Sequence, residues 1–300
     1  MGIAALVTSC FKYPKERKFM KLRVISPAPL CLLFAGLALS PAPAALAQQE
    51  AGQTHSPSKY LYLSNVELKP EQSSAYGKLE GEEVDALRAA NAPSHYLAMW
   101  SITGGTRVVY MHGFQSFADL EKNHDATIAM TKLQDTLKAD DAQEASLIAD
   151  RKSSIYSYEK DLSLGDPIDL SKMRFMRILL FHVRSGHDED FEHVVKLFVK
   201  AYQSSIPEAR WAMFEKMYGV GSDNTYILVT PMESLSMVDD MHDNSKKFRD
   251  AVGEDQLHAL RGGLDAAVES SEADLFAFGP KISYVPDSWL SSSPDFWGKK

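Results

Sequence analysis

The sequence predicts an α+β protein built from two consecutive copies of one β-α-β-β-α-β unit. Three observations lead to this prediction. Residues 60–68 (YLYLSNVEL) align with residues 175–183 (FMRILLFHV), and both segments have the β-branched and aromatic content of strands. A stretch with helical spacing follows each of them. The second copy then stays in step with the first to the end of the unit.

The register of this alignment is the main sign of an internal duplication. The offset is 115 residues at Tyr76/Phe191 and Tyr96/Trp211, 118 at Phe117/Leu235 and His124/His242, and 120 at Tyr156/Phe276 and Tyr158/Phe278. It changes only in predicted turns and between predicted helices, where insertions are tolerated. Chance likeness of two such patterns would imitate part of this agreement, whereas duplication explains all of it.

The first copy is predicted over residues 60–163. Pro70 ends its first strand, and Leu79, Val84 and Leu87 lie near helical spacing in the segment that follows. A Gly-Gly pair predicts the hairpin turn between the second and third strands. The predicted elements are strand 60–68, helix 71–90, strands 95–103 and 107–112, helical stretches 117–137 and 142–152, and strand 154–159.

The second copy is predicted over residues 173–284, after a linker at 164–172 that contains the turn formers Gly-Asp-Pro. Its first helix has apolar residues at i, i+3, i+4, i+7, i+8 and i+11, which is a strong amphipathic pattern. The predicted elements are strand 175–183, helix 187–202, strands 211–217 and 226–230, helices 235–251 and 255–268, and strand 274–278. The tail, 285–300, is polar with three aromatic residues, which we expect to pack on the body.

The first 47 residues predict a secretory signal peptide. A basic region precedes the apolar run 24–39, and Ala45-Leu46-Ala47 is a small-x-small cleavage site. Met20 begins a leader of ordinary length, so we expect it to be the true start. Residues 48–59 are polar and predict a flexible tether. The mature protein is therefore expected in the periplasm or outside the cell.

Cysteine use and charge exclude several classes of function. Both cysteines, Cys10 and Cys31, lie in the leader, so the mature chain has neither a disulfide nor a thiol site. The whole chain has a formal net charge of −8, and removal of the basic leader brings it to −13. Such an acidic chain is a poor partner for nucleic acid or an anionic membrane. No long apolar segment follows the leader, so we expect no membrane association after cleavage. A homo-oligomer is left open.

Two β-α-β-β-α-β units in one chain resemble the dimeric α/β-barrel group of ferredoxin-like proteins. The resemblance covers about residues 60–285 and rests on element order and the internal repeat. It implies two tandem ferredoxin-like repeats that form an intramolecular α/β-barrel, with helices outside and a cavity inside. The group includes cofactor-independent monooxygenases, haem-binding enzymes and small lyases. No motif in this sequence is specific to any of these activities.

Strand alternation suggests candidate catalytic residues in such a barrel. One face of the first strand holds Asn65 and Glu67, and the matching face of the repeated strand holds His182. If this face lines the cavity, Glu67 and His182 are equivalent positions where a carboxylate and an imidazole form an acid/base pair, and Asn65 is a ligand-binding residue. The alternative is that Glu67 and His182 lie at strand ends in water.

Matched and mismatched residues elsewhere supply further candidates. Tyr96 and Trp211 are equivalent aromatics that either pack in the core or stack on a flat ligand. Glu80 and Glu83 stand where the second copy has apolar residues. These carboxylates indicate either a polar pocket or a helix that is less buried at that end.

A repeated His-Asp pair is the remaining candidate, at His124-Asp125 and His242-Asp243. Adjacent helical residues do not share a face, and neither histidine has a second one at i+4, so we predict no metal site. The sequence contains no GxSxG, phosphate-binding loop or dinucleotide motif, and no cofactor is predicted.

Three functions remain open from the sequence. The first is a binding or interaction protein whose central cavity takes a small, partly aromatic or apolar molecule. The second is a cofactor-independent monooxygenase- or lyase-like enzyme that uses Glu67, Asn65 or His182. The third is a structural assembly protein whose barrel is filled with side chains.

Overall fold

The structure is a computed structural model, and it describes residues 57–221 and 224–298. The predicted signal peptide, its cleavage site and most of the predicted tether lie outside the described residues.

Eight strands and eight helices occur in the described residues, with short 3₁₀ turns at 160–162, 170–172 and 280–282. The strands are β1 (Tyr60–Leu68), β2 (Leu97–Ser101), β3 (Arg107–Phe114), β4 (Ile148–Tyr158), β5 (Phe175–Val183), β6 (Ala212–Gly219), β7 (Thr225–Met232) and β8 (Val268–Phe278). The helices are α1 (Ser73–Ala89), α2 (Phe117–Ala129), α3 (Thr131–Leu147), α4 (Asp188–Ser205), α5 (Ser236–Val252), α6 (Glu254–Ala267), α7 (Asp287–Ser292) and α8 (Pro294–Trp297).

All eight strands form one closed antiparallel barrel in the ring order β1-β3-β2-β8-β5-β7-β6-β4. The first half of the chain contributes the run β4-β1-β3-β2, and the second half contributes β8-β5-β7-β6 in the corresponding order. Pairing of β2 with β8 and of β4 with β6 joins the two runs and leaves no open sheet edge. The architecture is therefore a mixed α/β barrel.

The buried side chains form three layers. One lies between α1, α3 and the strands of the first half, and a second lies between α4, α6 and the strands of the second half. The third fills the barrel interior, where Met99, Met176 and Ile227 are almost without exposure. Helices on the outside and packed strands within explain why each strand has two apolar faces.

Several predicted element boundaries were wrong. The break between the two helices after β3 lies at Met130 and not at 138–141. Residues 148–152 were expected to continue a helix, but β4 begins at Ile148 and pairs with β1 along its whole length. Likewise β8 begins at Val268 rather than at 274. The first residues of both strands are polar because they lie at an exposed end of the barrel. Ladder hydrogen bonds, and not side-chain burial, hold them in strands.

The linker and the tail both dock on the same end of the barrel. Leu164 in the linker pairs with Trp211, and Tyr284 at the start of the tail pairs with Tyr96. Trp297 anchors the end of the tail, since it is 3% exposed and its Nε1 donates to the carbonyl of Ser171 at 2.8 Å. The tail aromatics therefore pack on the body of the same chain.

Candidate functional site

The barrel interior is lined by the strand face that contains Leu61, Leu63, Asn65 and Glu67. Leu61 and Leu63 pack in the interior cluster, and alternation places the other two side chains on the same face. On β5 the interior face carries Met176, Ile178, Leu180 and His182 by the same criterion. The sequence left open which face turns inward.

A cavity of about 530 Å³ opens at the barrel end where β1, β5 and β6 begin. Its floor is the interior packing, and its walls are the linker and the tail. The lining is mainly apolar and aromatic; it includes Leu61, Leu97, Met111, Tyr158, Met176, Phe214, Val229, Ile168, Val285 and Trp289. A cavity of this size and composition is typical of sites for small organic molecules.

Arg210 is the arginine in the wall of this cavity. Its Nη1 donates to the carbonyls of Pro207 and Ala209 at 2.5 and 2.8 Å, which fixes the side chain beside the linker. The chain approaches it closely at Gly165, where φ is +79° and an added Cβ would overlap the arginine Cδ. Glycine at this position therefore makes room for the guanidinium.

The predicted ligand-binding aromatics, Tyr96 and Trp211, both border the cavity. Their rings also pack away from it. Tyr96 contacts the ring of Tyr110 edge-on at 5.8 Å, and Trp211 meets Tyr202 at 5.2 Å. The indole of Trp211 donates to the carbonyl of Leu162 at 2.9 Å. Packing against other rings in the helix-covered layers thus buries a large part of both side chains.

The predicted catalytic residues lie at the opposite end of the barrel from this cavity. Glu67 is exposed near the end of β1, and His182 is half-buried near the end of β5. These strands are four apart in either direction around the ring. Strand spacing and tilt give an eight-stranded barrel a backbone diameter of roughly 16 Å. Glu67 and His182 are therefore on opposite walls, and no hydrogen bond or ion pair joins them in the described chain.

Asn65 lies one interior position deeper than Glu67. Its Oδ1 is buried and has no hydrogen-bond partner among residues 57–221 and 224–298. Arg107 and Asp274 form an ion pair at the same end of the barrel, and Thr103 donates to Asp274 at 3.1 Å. This end is therefore polar, whereas the cavity end is apolar.

Glu80 and Glu83 form a cluster whose complete burial was not expected from the sequence. Both side chains have 0% exposure. The phenols of Tyr76 and Tyr110 lie beside the Glu80 carboxyl, whereas the Glu83 carboxyl has no hydrogen-bond partner in the described residues. The interpretation of a helix less buried at that end was wrong, because α1 packs both residues against the first-half strands. A signal was present in the sequence: both lie on the same face as Tyr76, and this face is apolar in the second copy.

Tyrosines and one ion pair surround these two carboxyls. Tyr76 and Tyr110 share a hydrogen bond between their hydroxyls at 2.8 Å. Burial raises the pKa of Glu80 to about 7, against the opposing effects of the Tyr110 phenol and the Arg151 guanidinium. Burial and the charge of Glu80 together raise the pKa of Glu83 to about 9. The pair therefore keeps a proton to a higher pH than an exposed glutamate would.

The repeated His-Asp pairs have different environments. His124 is 6% exposed and its Nδ1 lies 3.2 Å from Asp125, whereas His242 and Asp243 are exposed. In the part of the chain that the structure describes, no three histidine, aspartate or glutamate side chains are arranged to hold a metal ion. No described helix combines the length and the apolar character needed to cross a bilayer.

No protein-family model matches the chain, and no curated protein matches it in sequence. Several solved structures are similar to it. An anthrone oxidase-like protein is 15% identical over 74% of this chain and 92% of its own, with a TM-score of 0.49. A proposed monooxygenase from Lactobacillus acidophilus NCFM is 12% identical over 74% and 94%, with a TM-score of 0.45. A mutant chlorite dismutase from Candidatus Nitrospira defluvii is 7% identical over 79% and 96%, with a TM-score of 0.45. At sequence identities and TM-scores this low, no activity can be assigned to this chain from these similarities.

Proposed function

We propose that this chain is an exported protein that binds a small, largely apolar molecule in the cavity at the linker end of the barrel. The observation that carries the proposal is the cavity itself. Its volume of about 530 Å³ lies within the range of roughly 300–1,000 Å³ that small-molecule sites occupy. A barrel filled with side chains to both ends, as a purely structural role would allow, would leave no such space.

The lining also indicates the chemistry of the ligand. Aromatic and thioether side chains such as Tyr158, Phe214 and Met111 favour a flat or branched apolar body. Arg210 supplies a fixed positive charge at the rim, so a ligand with an anionic or hydrogen-bond-accepting end fits best. Asp166 lies on the same rim and would disfavour a second negative charge.

Mass spectrometry of the mature protein, purified from its own host, tests this proposal. We expect the native spectrum to show an added small mass that disappears under denaturing conditions. The N-terminal peptide in the same experiment tests export, because cleavage after Ala47 would place Gln48 first. A bare mass at every gentle ionisation setting, together with no retention of small apolar anions from a compound library, would overturn the binding proposal.

A variant that fills the cavity, compared with a matched control, tests whether the ligand binds there. Ala212 lies on the interior face of β6 in the cavity wall, so Ala212→Phe would occupy the space that the ligand needs. Ala273→Phe places the same side chain at an exposed strand position and is the control. We expect the bound mass to be lost in Ala212→Phe only. Retention in both variants would contradict binding at this end of the barrel.

A second candidate is a cofactor-independent monooxygenase- or lyase-like enzyme. The observation that favours it is the buried amide oxygen of Asn65, which has no protein partner in the described chain and faces the barrel interior beside Glu67. An unsatisfied buried acceptor is costly unless a ligand or water meets it. Substrate screens with Asn65→Ala, Glu67→Gln and His182→Ala test this candidate, and activity unchanged in all three would exclude these residues.

We also infer that the two halves are tandem copies of a ferredoxin-like unit. The corresponding strand orders of the two runs and the near-constant residue offset support this. The linker–Trp211 and tail–Tyr96 pairings are equivalent under the same offsets. Separate expression of residues 60–163 and 173–298 tests the inference, because two related units are expected to associate into one barrel when mixed.

A further inference from the structure

The buried layer of the first half contains two carboxyl groups that the fold itself does not require. Glu80 and Glu83 correspond to Val195 and Phe198 of the second half, where the same helix-on-sheet layer is apolar. A buried carboxyl costs free energy unless it is paired or protonated. The second half thus serves as an internal control: the layer packs without these carboxyls.

Among the described residues, acidic and phenolic groups outnumber cations around the two carboxyls. Arg151 on β4 is the cation of this layer, and it forms an ion pair with Glu144 on α3. The other groups among the described residues that act on Glu80 and Glu83 are acidic or phenolic; they are Tyr76 on α1, Tyr96 just before β2, Tyr110 on β3, and Asp140 and Asp141 on α3. Deprotonation of both carboxyls would therefore place uncompensated negative charge in a closed layer.

Tyr96 connects this layer to the tail. Its hydroxyl is buried without a partner in the described chain, and burial followed by the charges of Glu80 and Glu83 raises its pKa. Its amide donates to the carbonyl of Tyr284 at 2.8 Å, and the two rings meet edge-on at 6.4 Å. Tyr96 therefore contacts the tail and is also within the electrostatic reach of both carboxyls.

The tail residues that follow Tyr284 form one wall of the cavity. Val285, Pro286 and Trp289 line it directly. Arg88, near the end of α1, lies over the Tyr284 ring at 5.7 Å and within 3.8 Å of Asp287. The helix that carries the two buried carboxyls and the strand that carries Tyr96 therefore both hold the tail in place.

We propose that Glu80 and Glu83 form a proton-binding site that holds the tail over the cavity while protonated and releases it when deprotonated. Ligand affinity then falls as pH rises. This dependence of affinity on pH rests on the proposed function, but the release of the tail does not. By linkage, each unit by which tail release lowers the pKa of the pair corresponds to about a tenfold change in the closing equilibrium.

The test follows the tail without any ligand. The chain contains four tryptophans, Trp100, Trp211, Trp289 and Trp297, of which the last two are in the tail. Incorporation of 5-fluorotryptophan gives each a separate ¹⁹F signal. Between pH 6 and about pH 9.5 we expect the Trp289 and Trp297 signals of the wild type to move toward solvent-exposed positions, while the Trp211 signal stays.

Three variants decide the outcome. The double variant Glu80→Gln/Glu83→Gln keeps the shape of the layer, but its amides do not titrate. The tail signals should therefore no longer respond to pH. Glu80→Gln alone serves if the double variant does not fold. Glu82→Gln, at an exposed position of the same helix, is the control and should respond like the wild type. Tail signals that stay unmoved in the wild type, or that move equally in the glutamine variants, would overturn the proposal.

Affinity for the apolar anion 1-anilinonaphthalene-8-sulfonate separates this inference from the proposed function. We expect its affinity for the wild type to fall at least fivefold from pH 6 to pH 9, and to stay level in the glutamine variants. Absence of binding at every pH would count against the cavity as its site, while the ¹⁹F signals would still decide whether protons hold the tail. Affinity that falls equally in the glutamine variants would overturn the inference.

Discussion

Tyr96 and Tyr284 join the start of β2 to the end of the second half of the chain. The Tyr96 amide donates to the Tyr284 carbonyl at 2.8 Å, and the Tyr284 hydroxyl donates to the carbonyl of Ala92 at 2.9 Å. Trp211 and Leu164 make the equivalent pairing across the barrel, with backbone bonds of 3.0 and 3.1 Å in both directions. Each half of the chain thus closes over the other, at the end where the cavity lies.

Loss of the Tyr284 side chain should destabilise the whole barrel. Tyr284→Phe removes one buried hydrogen bond and should lower the free energy of unfolding by about 1 kcal/mol. Tyr284→Ala also empties a packed site and should lower it by about 3–5 kcal/mol. Urea unfolding followed by circular dichroism measures both. Tyr218→Ala is the control, because Tyr218 is 59% exposed, and an equal loss there would contradict this role of Tyr284.

Replacement of Glu83 should stabilise the protein at high pH. The folded-state pKa of about 9 lies above the ordinary pKa of 4.5, so the unfolded state releases this proton first. The stability that this carboxyl contributes is therefore present below pH 4.5 and is lost as pH rises toward 9. We expect Glu83→Gln to match the wild type near pH 4 and to exceed it by about 3 kcal/mol at pH 7.

Denaturant titrations at pH 4, 6 and 8 measure this difference. Glu82→Gln on the exposed side of the same helix should follow the wild type at every pH. A stability difference that stays constant over the whole range would contradict a raised pKa at Glu83.

The contributions of Arg151 and Glu144 to the free energy of unfolding should be strongly coupled. Arg151→Met alone leaves the fully buried Glu144 carboxyl without its cation and should lower the free energy of unfolding by about 3–5 kcal/mol. The double change Arg151→Met with Glu144→Leu replaces both charges by apolar groups and should recover most of that loss. A double-mutant cycle in urea gives the coupling energy. Additive single effects would show that the pair does not act as a unit.

Gly165 should be sensitive to a single methyl group. Gly165→Ala adds a Cβ at a positive φ and against the Arg210 side chain, so we expect a loss of about 1–2 kcal/mol in unfolding free energy. Displacement of Arg210 should also weaken binding of an anionic probe to the cavity. Gly105→Ala is the control, because a Cβ there meets nothing within 4 Å. Equal effects at both glycines would remove the argument for a fixed guanidinium.

Much of the element order was predictable from the sequence. The strands predicted at 60–68 and 175–183 have the same bounds in the structure. Alternation and helical spacing are local properties, and both repeats carry them. The first parts of β4 and β8 were missed because their residues are polar, and their strand conformation depends on pairing with β1 and β5. That pairing joins residues far apart in the sequence.

The candidate site was predictable only in part. Tyr96 and Trp211 border the cavity, and their predicted role as ligand-binding residues stays a prediction. The roles of Glu67, His182 and Asn65 stay predictions. The ring order nevertheless separates Glu67 from His182, since β1 and β5 lie on opposite walls of the barrel. The complete burial of Glu80 and Glu83 followed from how closely α1 and α3 cover the sheet.

The sequence by itself determined the order of the elements, the two faces of each strand and the contrast of Glu80 and Glu83 with the apolar Val195 and Phe198. Only the tertiary structure decided which face turned inward, where the cavity opened and what the tail covers. The physical reason is that periodicity and register are carried by neighbouring residues. Burial, charge balance and pKa depend on closure of the barrel, which brings β2 to β8 and β4 to β6.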